Sequence, residues 1–278
     1  HRRLTISGGS SLTVAGGGNS VYLLVFSDIV GTENFEVAIE SSTFAFTSNS
    51  ITRLILCDGV TTNATVSITS SSFPWNSDGA VGVDNLMYFV QKAVNVRIAM
   101  LDVTADLETT SSNSVLIDFN DQLHNGNVLI EGGSYSVVGG PGGHFIKTNM
   151  HNVNSHFSLK STTVFLEANG ADAYAQLFRH EVDAEQSGST TISDCTITVK
   201  SNKHAWFLYA YRSDQGPRYF GYKFSVRNSH ITVSTTAQYS SEEAVYMYFH
   251  NAQVFDSTFE KHHPLRRRQR PRGAVHCH

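Results

Sequence analysis

The stretch Phe35–Phe46, FEVAIESSTFAF, sets two alternating apolar pairs, Val37/Ile39 and Phe44/Phe46, on either side of the polar run Glu40–Thr43. Alternation over so few residues is the signature of short half-buried strands, and the polar run between them is a loop or a corner. The figure returns along the chain. Taking the second apolar residue of the first pair as anchor, an apolar residue follows five places later: Ile39 with Phe44, Ile68 with Phe73, Ile98 with Val103, Ile130 with Tyr135, Leu159 with Val164, Ile192 with Ile197, Val226 with Ile231 and Val254 with Phe259. Ile6 with Leu12 is a looser first copy. The anchors recur at a mean period near 31 residues, which is the spacing of a solenoid lap.

A second apolar run follows each anchor, as in Val21–Phe26, Ile51–Leu56, Leu86–Val90, Val115–Phe119 and Ala205–Tyr211. Three places past the anchors stand Ser42, Ser71, Leu101, Gly133, Thr162, Cys195, Ser229 and Ser257, small but for Leu101. A small residue held at one register marks a place where successive copies crowd together. Asn34, Asn63, Asn95, Asn127, Asn154 and Asn251 recur just ahead of the anchor strands, in keeping with the tolerance of asparagine for left-handed backbone at a bend. Asn-Gly or Asp-Gly, the dipeptides of tight hairpins, are missing from the polar runs, and strands this short do not stand alone as hairpins. Corners between parallel strands explain both facts. The sequence therefore predicts an all-β, right-handed parallel β-helix of about nine rungs. Its interior columns are expected to be Val37/Val66/Val96/Val128/Phe157 and Ile39/Ile68/Ile98/Ile130/Leu159.

Composition bounds the partners. Lys261–His278 holds six cations and no acid, so the remainder of a chain with net charge −4 carries about −10. Such a body is poorly suited to phosphate backbones, and no nucleic-acid partner is expected for it. Residues 1–260 are expected to form the β-helix and residues 261–278 a disordered basic tail, although RRRQRPR could engage nucleic acid or anionic lipid. Cys57, Cys195 and Cys277 are too few and too dispersed for a disulfide framework or a zinc site. The longest apolar run, Val21–Phe26, is far short of a membrane span. The chain begins at His1, so it is open to being a piece of a longer protein, with any anchor in regions absent from it.

The strand–corner–strand figure, as in TISDCTITV (Thr191–Val199) and FSVRNSHITV (Phe224–Val233), resembles the pectin-lyase-like β-helix superfamily. The Ser/Thr-rich, Asn-punctuated version is similar to the large surface proteins of the kinetoplastid dispersed gene family, over roughly residues 4–260. That resemblance implies a very large, membrane-attached, glycosylated surface protein with an adhesive or antigenic role. The chain has one glycosylation sequon, Asn63-Ala64-Thr65. Enzymes of the superfamily place carboxylates, with an Arg or His, on one face of neighbouring rungs. The Asn-Thr-Asp, Asp-Asp, Gly-His-Gly and Arg-Ile-Lys elements of pectin hydrolases are missing, and Gly142-Gly143-His144 only partly echoes the third.

Several residues are candidates for chemistry. Asp28 and Asp58 follow the second apolar run of adjacent rungs, with Asp118 two rungs beyond; stacked about 5 Å apart, the first two could share a proton or bind a cation, or simply be solvated strand ends. His144, His151 and His156 have no metal-pair spacing, and Glu181, Asp183 and Glu185 alternate as on a strand edge. Strict alternation in AWFLYAY (Ala205–Tyr211) puts Trp206, Leu208 and Ala210 inside and Phe207, Tyr209 and Tyr211 outside; with Tyr174, Phe178, Tyr246 and Tyr248 these make an expected outer aromatic ladder. Its expected occupant is a glycan or a surface protein, unless Arg212–Tyr222 folds over it. No catalytic, cofactor or metal residues are assigned. The expected function is a non-enzymatic extracellular or cell-surface segment for adhesion, spacing or antigenic display. A polysaccharide lyase or glycoside hydrolase on the same scaffold is the alternative.

Overall fold

A computed structural model describes residues 2–16, 20–27, 33–77, 83–150, 152–181, 188–211, 222–236, 243–250, 257–260 and 276–277. The chain is a parallel β-solenoid. Its first lap consists of β1 (Arg2–Ile6), β2 (Ser11–Gly16) and β3 (Ser20–Phe26). Each begins a parallel sheet that runs the length of the molecule, called here sheets A, B and C; among the described residues these hold nine, eight and nine strands. A fourth sheet of two-residue strands, from Thr61–Thr62 to Asn152–Val153, lines the return from sheet C to sheet A over the early laps. FEVAIESSTFAF becomes Phe35–Glu40 in sheet A and Thr43–Ser48 in sheet B. The polar run between them is a corner, as expected: Ile39 lies parallel to Ile68, and Phe46 to Trp75.

Corners form because the backbone can turn left-handed there. Ser41, Ser70, Asp102, Ser161, Asp194 and Asn228 have positive φ at the A/B corner, where Gly132 (φ 69) and Gly133 (φ 77) serve the fifth lap. Gly133 is required on two counts, since a Cβ there would lie 2.0 Å from the Val103 carbonyl oxygen. At four of these corners the next residue is a buried Ser or Thr whose hydroxyl caps the strand just left. Ser42 Oγ donates to Glu40 O at 2.8 Å, Ser71 Oγ to Thr69 O at 2.8 Å and Ser229 Oγ to Arg227 O at 2.7 Å. Ser71 Oγ also accepts from the Ser42 N–H at 3.2 Å, tying one lap to the next.

The corner before sheet A carries an asparagine ladder. Asn34, Asn63, Asn95, Asn125 and Asn154 all have φ near +50. The Nδ2 of Asn63 donates to Asn34 Oδ1 (3.1 Å), that of Asn95 to Asn63 Oδ1 (2.9 Å) and that of Asn125 to Asn95 Oδ1 (3.1 Å). The ladder residue of the fifth lap is Asn125; Asn127 instead opens its sheet A strand, opposite Arg97. Asn251 lies outside the described residues.

The fourth copy is set two residues later than the fixed spacing predicts. Ile98 pairs with Val66 and Val128, and Met100 takes the place beside Ile68 and Ile130. The interior columns are therefore Val37/Val66/Ile98/Val128/Phe157 and Ile39/Ile68/Met100/Ile130/Leu159. Val96 is buried one step earlier, beneath the Asn127 N–H that its carbonyl accepts. In sheet B, Ala105 rather than Val103 pairs with Phe73 and Tyr135. The slip went unseen because Ile98, Ala99, Met100 and Leu101 are all apolar, so alternation alone leaves two registers open. In the true register Val103 takes the corner place assigned to Leu101. The last copy is anchored on Phe259, which pairs with Val226; Val254 is outside the described residues. Of the basic tail, residues 261–275 are also outside them, and His276–Cys277 pairs in parallel with Tyr248 and Phe249 in sheet C.

Candidate functional site on the kinked sheet

Sheet C is the irregular one. In each strand pair the register skips one central residue: Leu23, Leu54, Leu86, Leu116, Phe145, Leu177 and Phe207 have no register partner, while their neighbours on both sides do. From Leu54 onward, the skipped residue and the one after it are both in the core, as with Leu86/Met87, Leu116/Ile117 and Phe207/Leu208. Two consecutive inward side chains mean that each strand bends into the core at this point, as at a bulge repeated in register. The outward residues on either side of the bend then converge. Trp206 and Tyr209, three apart in one strand, bring their ring centroids within 5.1 Å, closer than a straight strand rising about 3.3 Å per residue allows.

The result is a seam along the outer wall, built from two columns of side chains. Arg53 sits between the rings of Tyr88 (4.2 Å) and Tyr22 (5.5 Å), and its Nε donates to Asn85 Oδ1 at 3.1 Å. Asn85 Nδ2 donates to Asp118 Oδ2 at 3.5 Å, and Lys147 Nζ reaches the same oxygen at 3.4 Å. Beyond come His144, Gln176 and Arg179, then Trp206 and Tyr209. Tyr174 packs on His144 at 5.4 Å, and His204 stacks on Trp206 at 4.9 Å. Arg53, Lys147 and Arg179 outnumber the single carboxylate of Asp118, so the seam is a cationic, aromatic-edged stripe on an otherwise acidic body.

Burial shapes the titration of this wall. It pushes the Asp118 carboxyl up, against the pull of Lys147 and Arg179. It holds His144 well below the usual imidazole range, with Lys147 and Arg179 adding to the effect. Three buried polar atoms on the seam have no hydrogen-bond partner among the described residues: Asp118 Oδ1, His144 Nδ1 and Gln176 Oε1. Each is costly to bury unpaired.

Of the proposed acidic pair only Asp58 falls within the described residues. Cys57 pairs with Phe26, so Ser27 aligns with the exposed Asp58; Asp28 itself is outside the described residues. Asp118 pairs with Tyr88, and Tyr88 with Leu56, two places before Asp58, so Asp118 and Asp58 are on different columns. The buried acid that the sequence reading passed over is Asp84, at the B/C corner, where its carboxylate accepts from the Thr52 N–H (2.6 Å) and Ser112 Oγ (3.0 Å). Burial raises its pKa too.

The three histidines do not converge. His156 is exposed, its Nδ1 2.8 Å from Ser189 Oγ, and His151 is outside the described residues. So are Asp183, Glu185 and the side chain of Glu181. Among the described residues no three His, Cys, Asp or Glu side chains gather as a metal site. Cys57 and Cys195 are free and buried, and burial pushes the Cys57 thiol up to about 12, which makes it inert.

The aromatic ladder is corrected by the bend. Phe207 and Phe178 point into the core and Trp206 points out, reversing the alternation that the sequence suggested. Tyr209 and Tyr174 do stand on the outer wall; the side chains of Tyr211, Tyr246 and Tyr248, and residues 212–221, are outside the description. A separate groove of about 410 Å³ follows the asparagine ladder, lined by Asn63, Thr65, Asn95, Arg97 and Asn125. The glycosylation sequon lies on that ladder. Both ends of the Asn63 amide are engaged, and a glycan would attach at the same Nδ2 that donates to Asn34.

The two buried acids make stability depend on pH. A carboxyl whose pKa is higher in the folded than in the unfolded state binds protons preferentially when folded. Its contribution is fully present below the unfolded value, about 3.9 for aspartate, and is lost as the pH rises through the folded value. Urea midpoints are therefore expected to gain from Asp84 and Asp118 on acidification from neutral pH. Asp84→Asn and Asp118→Asn should each flatten that gain; an unchanged slope in both variants would refute the assignment.

With fold and site in hand, the class is clear: a parallel β-solenoid, consistent with the pectin-lyase-like fold, bearing a polar seam on one outer wall. In comparisons with known proteins, no family model, no curated protein and no solved structure matches the chain.

Proposed function

We propose that this chain is a length of extracellular or cell-surface β-solenoid used for adhesion, spacing or display, and that the sheet C seam is its binding face for anionic glycans. The observation that carries the reading is the seam itself, where the part-exposed cations Arg53 and Arg179, with Lys147 beside them, share one wall with the rings of Tyr22, Tyr88 and Tyr209. Guanidinium and ammonium groups hold carboxylate or sulfate, and aromatic rings hold the apolar faces of sugars. A rigid stack of laps suits the spacing role, and the resemblance to the dispersed gene family surface proteins points the same way.

Binding to sulfated and uronate-rich glycans is expected to exceed binding to neutral ones and to weaken with salt. Arg53→Ala with Arg179→Ala should reduce it at least about tenfold, which is about 1.4 kcal/mol. Equal binding to neutral glycans, or no loss in the double variant, removes the reading.

The second reading, a polysaccharide lyase or hydrolase, is favoured by a buried carboxyl of raised pKa lying against Lys147. It requires new unsaturated or reducing ends when polyuronides are incubated with the chain. The adhesive reading expects none.

A further inference from the structure

The groove over the asparagine ladder is polar throughout. Asn63, Thr65, Asn95, Arg97 and Asn125 line its 410 Å³, a volume within the about 300–1,000 Å³ of small-ligand sites. It follows the corner where Thr61–Thr62 and Ala93–Val94 turn into sheet A, apart from the sheet C seam. Thr65 and Arg97 are paired neighbours in one column of sheet A. Among the described residues, neither the Thr65 hydroxyl nor the Arg97 guanidinium makes a hydrogen bond or ion pair. The amides are only half used. A primary amide carries two N–H donors and two acceptor lone pairs. Asn63 and Asn95 each give one N–H to the lap before and accept one from the lap after, so each keeps one donor and one acceptor.

We propose that this groove binds an N-acylated acidic sugar, a monosaccharide that carries both a carboxylate and an acetamido group. The unpaired fork of Arg97 takes the carboxylate through two parallel N–H···O bonds. An acetamido group has one N–H and one carbonyl, the complement of the acceptor and donor that each ladder amide leaves unused. Ring hydroxyls both donate and accept, which suits the Thr65 hydroxyl. A hydrocarbon-rich ligand finds no apolar side chain in this lining. A neutral sugar leaves the guanidinium unmatched, and a simple uronate leaves the amides unmatched. The site is independent of the seam, because Arg53 and Arg179 are on sheet C and take no part in it.

The test uses the whole chain, nitrogen-labelled and made in a bacterial host so that Asn63 carries no glycan. Titration with N-acetylneuraminic acid should shift the side-chain amide resonances of Asn63 and Asn95 saturably. Glucuronic acid, which lacks the acetamido group, and N-acetylglucosamine, which lacks the carboxylate, should each bind at least about tenfold more weakly. Arg97→Ala should lose at least about tenfold in affinity at an unchanged urea midpoint, since its guanidinium holds nothing in the fold. Arg97→Lys should fall between, because an ammonium keeps the charge but not the fork. Arg53→Ala with Arg179→Ala should leave this binding intact, which separates the groove from the seam. No saturable shift, equal affinity for the three sugars, an Arg97→Ala variant that binds as the wild type does, or loss in the Arg53/Arg179 variant would each overturn the proposal.

Discussion

Ile130→Lys is expected to yield no stably folded protein, whereas Leu129→Lys, one residue earlier, is expected to fold. Ile130 is fully buried in the column between Met100 and Leu159. Replacing it loses about 1.5–3 kcal/mol of apolar burial and puts an ammonium where no acid can meet it, a cost of several kcal/mol more. A domain with a total stability of about 5–15 kcal/mol does not absorb that. In a solenoid the damage spreads to both sides, because each lap is held by its two neighbours. Leu129 is on the opposite face of the same strand, half-buried in the column of Ala99 and Ser158, so a lysine there can reach water. Ile130→Val should cost only about 1 kcal/mol. Soluble yield, circular dichroism and urea midpoints check the series. A cooperative Ile130→Lys protein with a near-native midpoint would mean that Ile130 does not face the core.

The second large effect is expected at the asparagine ladder. Asn95 is exposed, yet its amide donates to Asn63 and accepts from Asn125, and its backbone has φ 53. Asn95→Ala removes both hydrogen bonds, each worth about 0.5–1.5 kcal/mol, and puts an alanine in the left-handed region at about 1–2 kcal/mol. The total is about 2–5 kcal/mol, large for a surface residue. Asn95→Gly loses the same bonds without the backbone strain, so it should be milder by about 1 kcal/mol. Denaturant melts of the two variants decide the point. Equal losses would show that the backbone conformation contributes nothing, and no loss in either would show that the ladder is not a stabilising feature.

Much of this architecture is legible in the residues. Alternation over four to six positions gives the strands, the small residues after Glu40, Thr69 and Lys160 give the corners, and recurrent asparagines give the bend before sheet A. The reading fails where local pattern is ambiguous. Ile98–Leu101 offers four apolar residues in a row, and only the pairing with Val66 and Ile68 selects its register. His180 looks like a polar outward residue, but it is buried against Thr148 and the rings of Phe157 and Phe178, and burial lowers its pKa to about 3.

The candidate site depends most on what alternation does not convey. Leu54-Ile55, Leu86-Met87 and Phe207-Leu208 read as ordinary strand interiors, and period-two counting assigns one member of each pair to solvent. The bend that turns both inward arises because the strands of sheet C must wrap the core. That bend is what draws Arg53 to Tyr88, Asn85 to Asp118 and Trp206 to Tyr209 across the outer wall. Side-chain periodicity along the chain, set by the pleat, thus determined the lap, its corners and its aliphatic columns. Which polar groups meet was decided only by lap stacking and strand bending, because most of those contacts join residues about thirty apart in sequence and the rest depend on a bend that no local pattern conveys.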